Sequence, residues 1–157
     1  MDDRKRTQSL GRLVSNIQTL ELLLRACLFE DEIAKGLSKQ SINIELVKGE
    51  IVDENAFTNW DTLRDLIQKY NELPISKGLT IDETLVDIRD AIAHGRVFAD
   101  TPLGINQLVR FQKPKKNKVE VEFSVSMTEE WFGTQIRRFY DAVRKVDEVH
   151  KRQRAGK

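Results

Sequence analysis

Residues 10–28 read LGRLVSNIQTLELLLRACL, and the apolar side chains in this segment recur at intervals of three and four residues. That spacing is typical of a long amphipathic helix. Leu22, Leu23 and Phe29 widen the apolar arc beyond a single stripe, which predicts that the helix is covered on two sides, by the core and by a partner surface. Gly36 is expected to end this first helix.

Two further helices are marked by residues typical of helix ends. Thr58 or Asn59 is expected to cap a second helix that runs through Trp60 and stops before Pro74. A third helix is expected to begin at residue 80, because Thr80 and Glu83 have the spacing of a capping box. A glycine at position 95 is expected to end it.

The end of the chain predicts a β-hairpin followed by a last helix. Residues 119–126 alternate apolar and polar side chains, which indicates a half-buried strand, and residues 105–111 are its expected partner across a lysine-rich turn. Thr128 is expected to cap the last helix, and a basic tail at about 151–157 is expected to be frayed. Residues 37–57 are interpreted as an extended segment or a short hairpin around the turn Lys48–Glu50.

These elements predict a mainly α fold: a four-helix up-and-down-type bundle with one β-hairpin, at about 105–126, inserted before the last helix. The length of 157 residues suits a single domain over 1–157.

Composition excludes several classes of protein. Lys plus Arg number 26 and Asp plus Glu number 25, so a net charge of +1 excludes a dedicated polyanion binder of the histone kind. One Cys and two His exclude a disulfide framework, a zinc site built on cysteine pairs and a three-histidine metal site. The charged N-terminus and the absence of a long apolar run predict a cytoplasmic protein that does not enter a membrane, and no cofactor is expected.

One segment carries candidate chemistry: residues 86–97, VDIRDAIAHGRV. At about 100° per residue, Asp90 and His94 lie about 40° apart on one helix face, where the carboxylate can hydrogen-bond the imidazole and favour its protonated form. Arg89 is about 140° from His94, so two copies of the helix about a two-fold axis would bring them together more easily than one. From the spacing alone, a structural role is favoured, with His94 as a helix cap and Asp90 as its partner.

The segment Arg89–His94, RDAIAH, resembles the R-x4-6-H signature of the HEPN superfamily, in which a polar residue commonly follows the arginine. The resemblance implies a small helical bundle and a metal-independent endoribonuclease of toxin or anti-phage defence type that acts as a homodimer. By this analogy His94 is the general acid/base, Arg89 binds the scissile phosphate and Asp90 orients one or both. RNA would be the substrate, and the products would carry 2′,3′-cyclic phosphate and 5′-hydroxyl ends.

Some members of that family carry a tyrosine two residues after the histidine and are paired with an antitoxin that modifies it. Arg96 occupies this position here, which leaves such control unsupported and makes Arg96 a candidate substrate-binding residue, although an antitoxin or other regulatory partner remains an open expectation. The alternative function is a non-catalytic helical module for dimerisation or for binding a partner or nucleotide. A metalloenzyme ranks third, because the chain has few candidate metal ligands.

Overall fold

The structure is a computed structural model that describes residues 1–38, 47–99 and 105–156. These residues form a mainly helical protein with a small antiparallel sheet. The helices are α1 (Asp3–Ala34), α2 (Leu63–Glu72), α3 (Leu85–His94) and α4 (Glu129–Ala155), with a short 3₁₀ turn at Pro74–Ser76. The strands are β1 (Arg96–Phe98), β2 (Gln107–Phe111) and β3 (Val121–Ser126), and they lie in the order β1-β2-β3.

Helix α1 confirms the first predicted helix and its end. Gly36 has a φ of +69°, in the left-handed region that favours glycine. Its backbone N–H donates to the Ile33 carbonyl, and the N–H of Leu37 donates to the Glu32 carbonyl at 2.9 Å. These two bonds form a Schellman motif, which satisfies carbonyls that the helix end leaves open.

The chain divides into two compact units, each made of two separate stretches. The first unit comprises Met1–Ile17 and Thr84–Asp141, and the second comprises Gln18–Glu83 and Ala142–Lys157. Buried apolar residues of the first unit include Leu13, Leu85, Ile88, Ala91, Leu108, Val109, Phe132 and Phe139. Those of the second include Leu20, Leu24, Cys27, Leu66, Ile67, Tyr70, Val146 and Val149. The predicted single domain over 1–157 stays a prediction.

The second helix begins later than the sequence predicts. Its cap is Thr62, whose hydroxyl accepts from the Asp65 N–H while the Asp65 carboxylate accepts from the Thr62 N–H. The prediction of Thr58 or Asn59 was wrong because their polar groups are engaged in the preceding loop. Thr58 Oγ1 donates to the Asp53 carbonyl at 2.8 Å, and Asn59 Oδ1 accepts from Arg25 at 2.8 Å. Trp60 therefore precedes the helix, and 97% of it is exposed.

The third helix also begins later, at Leu85 instead of Thr80. The Asn71 side chain holds both backbone groups of Ile81, accepting from its N–H at 2.8 Å and donating to its carbonyl at 2.9 Å. The Ile81 carbonyl is thus already occupied where a helix starting at Thr80 would need it for the N–H of residue 85. The capping box at Thr80 and Glu83 was a wrong prediction, whereas the end of the helix before Gly95 is confirmed.

The sheet contains the predicted hairpin and one strand that was not predicted. Strands β2 and β3 pair antiparallel, with Leu108 opposite Val125, which confirms the pairing of 105–111 with 119–126. Strand β1 adds to the other edge of β2, with Val97 opposite Leu108. The fold prediction of a hairpin alone is corrected to a three-stranded sheet, because the chain becomes extended directly after Gly95.

Two predictions concern the two ends of α4. Thr128 caps α4 by accepting from the Trp131 N–H at 3.1 Å, as predicted. The basic tail is not frayed up to Ala155, since it continues α4. Lys151 pairs with Asp147 at 2.6 Å and Arg152 with Glu148 at 3.0 Å, one turn earlier on the helix.

Residues 37–57 are described in part. The turn around Lys48 and Gly49 is confirmed, with Glu50 N–H donating to the Val47 carbonyl at 3.1 Å and a φ of +93° at Gly49. No strand occurs in the described part of this segment, residues 37–38 and 47–57. The predicted alternation of Ile42, Ile44 and Leu46 lies outside the described residues.

Helix α3 approaches strand β2 closely at Gly95. A Cβ added there would meet the Ala91 carbonyl oxygen, and would lie 2.8 Å from Leu108 Cδ1 and 3.2 Å from the Val109 carbonyl oxygen. The first of these contacts lies within the end of α3 and the other two are with β2, so relief requires a shift of the backbone at Gly95.

We predict that Gly95→Ala lowers the free energy of unfolding by about 1–3 kcal/mol, since overpacking displaces backbone. Gly133→Ala is the matched control, because an added Cβ on α4 meets nothing within 4 Å there. It should raise the same free energy by about 0.5–1 kcal/mol through helix propensity. Urea denaturation measures both, and a Gly95→Ala protein as stable as wild type would contradict the close contact.

Candidate functional site

The four residues singled out from the sequence lie at the end of α3 and the start of β1. Arg89 and Asp90 are half-buried, while His94 and Arg96 are exposed. His94 is the last residue of the helix, which stops when the Gly95 N–H donates to the Ala91 carbonyl at 2.8 Å. The sequence pattern therefore places the imidazole at an accessible helix end.

The Asp90 carboxylate lies between two arginines. Its Oδ1 is 3.1 Å from Nη1 of Arg89, and its Oδ2 is 3.4 Å from Nη1 of Arg110. Asp90 thereby links the candidate phosphate-binding residue to strand β2. This contact fits the predicted orienting role towards Arg89, since a paired guanidinium is restricted in its rotamers.

The predicted hydrogen bond from Asp90 to His94 is not formed. Among residues 1–38, 47–99 and 105–156, no hydrogen bond joins the two side chains, and both carboxylate oxygens face arginines instead. The His94 side chain is therefore exposed at the helix end without the predicted carboxylate partner.

Arg110 is a residue of this cluster that sequence reasoning missed. Its side chain is only 14% exposed, and besides Asp90 it approaches Asp87 at 3.9 Å and Glu122 at 3.1 Å. The contact of Nε with Glu122 lies outside hydrogen-bond geometry, so it is an electrostatic contact. A cation this deeply placed requires nearby carboxylates, and three surround it. The signal in the sequence is a charged residue directly flanked by two apolar ones, Val109 and Phe111.

Arg96 is held by an aromatic ring. Its guanidinium carbon lies 5.6 Å from the centroid of the Phe111 ring, within the range of a cation–π contact. This contact restricts the exposed side chain and keeps its positive charge on the sheet, two residues after His94.

Arg89 and His94 are not brought together on one helix. Five residues of a regular α-helix rotate about 140° beyond a full turn, so their side chains leave α3 in different directions. Within the chain, Arg89 pairs with Asp90, which also pairs with Arg110, and His94 is near Arg96 in sequence.

We compared the chain with family models, curated proteins and solved structures. None of the three comparisons gave a match. The similarity to the HEPN superfamily therefore depends on the Arg89–His94 motif and its place at a helix end.

The thiol of Cys27 has a structural partner. Cys27 is fully buried, its thiol donates to the Val146 carbonyl at 3.6 Å, and burial, with the nearby Glu30 and Asp147, raises its pKa to about 12. This agrees with its interpretation as a core residue.

No group of three or more His, Cys, Asp or Glu side chains in the described part of the chain is arranged to hold a metal ion. None of the described helices is both long and apolar enough to cross a bilayer.

We predict that Arg110→Ala lowers the free energy of unfolding by about 1–3 kcal/mol, because three carboxylates lose a largely buried cation. Arg152→Ala is the control: it removes an exposed helix pair with Glu148 and should cost under about 0.5 kcal/mol. Chemical denaturation of both variants provides the comparison. Equal losses would show that Arg110 contributes no more than a surface ion pair.

Proposed function

We propose that this protein is a HEPN-like, metal-independent endoribonuclease of toxin or anti-phage defence type, acting as a cytoplasmic homodimer. Its helices would form the up-and-down bundle of that family. Each site would be composite, with Arg89 from one protomer and the partner subunit's His94. An antitoxin or other regulatory partner would restrain it.

One observation carries the proposal: His94 is exposed at the end of α3, next to an Arg96 that an aromatic ring holds in place. A general acid/base must reach the substrate, and a buried capping histidine would not. Arg89 supports it further, because pairing with Asp90 at 3.1 Å restricts a guanidinium suited to bind a phosphate through two N–H groups.

In the proposed reaction the imidazole of His94 accepts the proton of a ribose 2′-hydroxyl. The 2′-oxygen forms a bond to phosphorus, and the bond from phosphorus to the 5′-oxygen breaks. The imidazolium then protonates that 5′-oxygen, so one strand ends in a 2′,3′-cyclic phosphate and the other in a 5′-hydroxyl. Arg89 stabilises the charge that develops on the phosphate, and Arg96 adds positive charge for the flanking strand.

The second candidate function is a non-catalytic dimerisation or partner-binding module. It is favoured by exposed apolar residues in and beside the sheet: Val97, Val119 and Val121 are each more than half exposed. Exposed apolar side chains of this kind are available for contact with a partner. On this alternative Arg89→Ala would impair assembly, and no RNA would be turned over.

We predict that His94→Ala lowers the rate of RNA cleavage by about 10²- to 10⁴-fold, the usual contribution of a general acid/base. His150→Ala, the other histidine of the chain, is the matched control and should cleave at the wild-type rate. Circular dichroism melting should show both variants folded, since His94 is exposed. Cleavage by His94→Ala at the wild-type rate would remove His94 from the mechanism.

The composite site makes a second, independent prediction. Arg89→Ala and His94→Ala are each expected to be inactive, but a heterodimer of the two has one intact site, with Arg89 of one chain and the partner subunit's His94. Random exchange of an equal mixture should restore about a quarter of wild-type activity, since half the dimers are heterodimers and each has one of two sites. Measured after the protomers exchange, no recovery would contradict a site shared between two chains.

A further inference from the structure

The sheet carries an exposed aromatic cluster beside the candidate site. We call Arg96, Phe98 and Phe111 the Phe98 cluster. The Phe98 and Phe111 rings meet edge to face, with centroids 6.4 Å apart and an interplanar angle of 82°, and Arg96 lies 5.6 Å from the Phe111 centroid. Phe98 is 44% exposed and Phe111 is half-buried.

The pairing of β1 with β2 places two members of the cluster, Arg96 and Phe98. Arg96 and Phe98 alternate with Val97 on β1, so they share a face, and they lie opposite Val109 and Gln107 of β2. Phe111 follows an irregularity between Arg110 and Phe111 of β2, and its ring contacts both Phe98 and Arg96. Because two contacts fix the Phe111 ring, an incoming flat group would meet side chains that have already lost much of their freedom.

An exposed ring beside a guanidinium is chemically suited to a nucleobase. Unpaired bases stack on aromatic rings and on arginine planes, and each base stacked on an aromatic ring is worth about 1–3 kcal/mol. A guanidinium can also contact the phosphate that follows the base. The β2–β3 turn begins directly after Phe111 and carries Lys113, Lys115, Lys116 and Lys118, which add positive charge on the same hairpin.

The Phe98 cluster is close to His94, where the proposed function places the scissile phosphate. Arg96 follows His94 by two residues, so their Cα atoms are at most about 7 Å apart. A strand whose phosphate lies at His94 would therefore pass the Phe98 cluster with a neighbouring nucleotide.

We propose that the Phe98 cluster binds an unpaired base of the RNA strand next to the phosphate cleaved at His94. The proposal rests on the proposed function and specifies its substrate class: single-stranded RNA. Bases within a duplex are stacked and paired, so they cannot lie on the Phe98 ring.

The test measures RNA binding in a His94→Ala background, where the substrate stays intact. The probe is a fluorescein-labelled, unstructured RNA oligonucleotide, with the same strand in a duplex as comparison, in EDTA at one fixed salt concentration. Phe98→Ala should weaken binding to the single strand by about 5- to 150-fold, the equivalent of one lost stack. Phe98→Trp keeps a π face and should restore binding.

The matched control is Trp60→Ala, which removes another exposed aromatic side chain, 97% accessible, in the second unit. It should leave binding unchanged. One abasic nucleotide moved along the probe should reproduce the Phe98→Ala loss at a single position, and the two changes together should cost no more than either alone. Thermal melting monitors the fold of each variant.

The base-binding role of the Phe98 cluster and the proposed ribonuclease function can fail separately, and different outcomes show which has failed. Single-strand binding that survives Phe98→Ala, equal losses for Phe98→Ala and Trp60→Ala, or preference for the duplex would overturn the base-binding role. Absence of RNA binding would also overturn it and would favour a protein partner for this face. The proposed function is decided separately, by His94-dependent cleavage with the wild-type protein.

Discussion

Arg110 links the end of α3 to the sheet, and the placement of the candidate site depends on this contact. Its guanidinium lies 3.4 Å from Asp90 of α3 and 3.1 Å from Glu122 of β3, with only 14% of the side chain exposed. A cation with so little water contact is stable only while the carboxylates remain close, so it resists movement of α3 away from the sheet. Gly95 leaves room for the approach, since an added Cβ would collide with the Ala91 carbonyl oxygen of α3 and would lie 2.8 Å from Leu108 Cδ1 of β2.

The same contact separates the two kinds of group that the proposed chemistry needs. Asp90 is paired with Arg89 and Arg110, so the carboxylate restricts the Arg89 guanidinium, the proposed phosphate-binding group, while His94 is exposed. Directly after Gly95 the chain turns into β1, where Phe111 holds Arg96. In the proposed mechanism, proton transfer, phosphate binding and contact with the flanking strand belong to different side chains within eight residues of sequence.

The sequence predicted correctly those helices and strands whose ends are set by hydrogen bonds between neighbouring residues. The structure confirms four of these predictions: helix α1 from its apolar spacing, its end at Gly36, the pairing of β2 with β3, and the Thr128 cap of α4. Errors arose where side chains from elsewhere in the chain bind backbone groups. The Asn71 side chain accepts from the Ile81 N–H, and Arg25 donates to the Ala56 and Asp61 carbonyls in the loop before α2. Arg110 could not be placed in the site from the sequence either, because its partners come from α3 and β3, and strand β1 is too short for a periodic pattern.

The most direct measurement is the chemistry of the RNA ends. The wild-type protein is incubated with a mixed RNA pool in excess EDTA, beside His94→Ala, and the fragments are analysed for their termini. We expect 2′,3′-cyclic phosphate and 5′-hydroxyl ends from the wild type alone. Fragments with 3′-hydroxyl ends, cleavage that requires an added divalent cation, or no cleavage by either protein would contradict a metal-independent ribonuclease site at the end of α3.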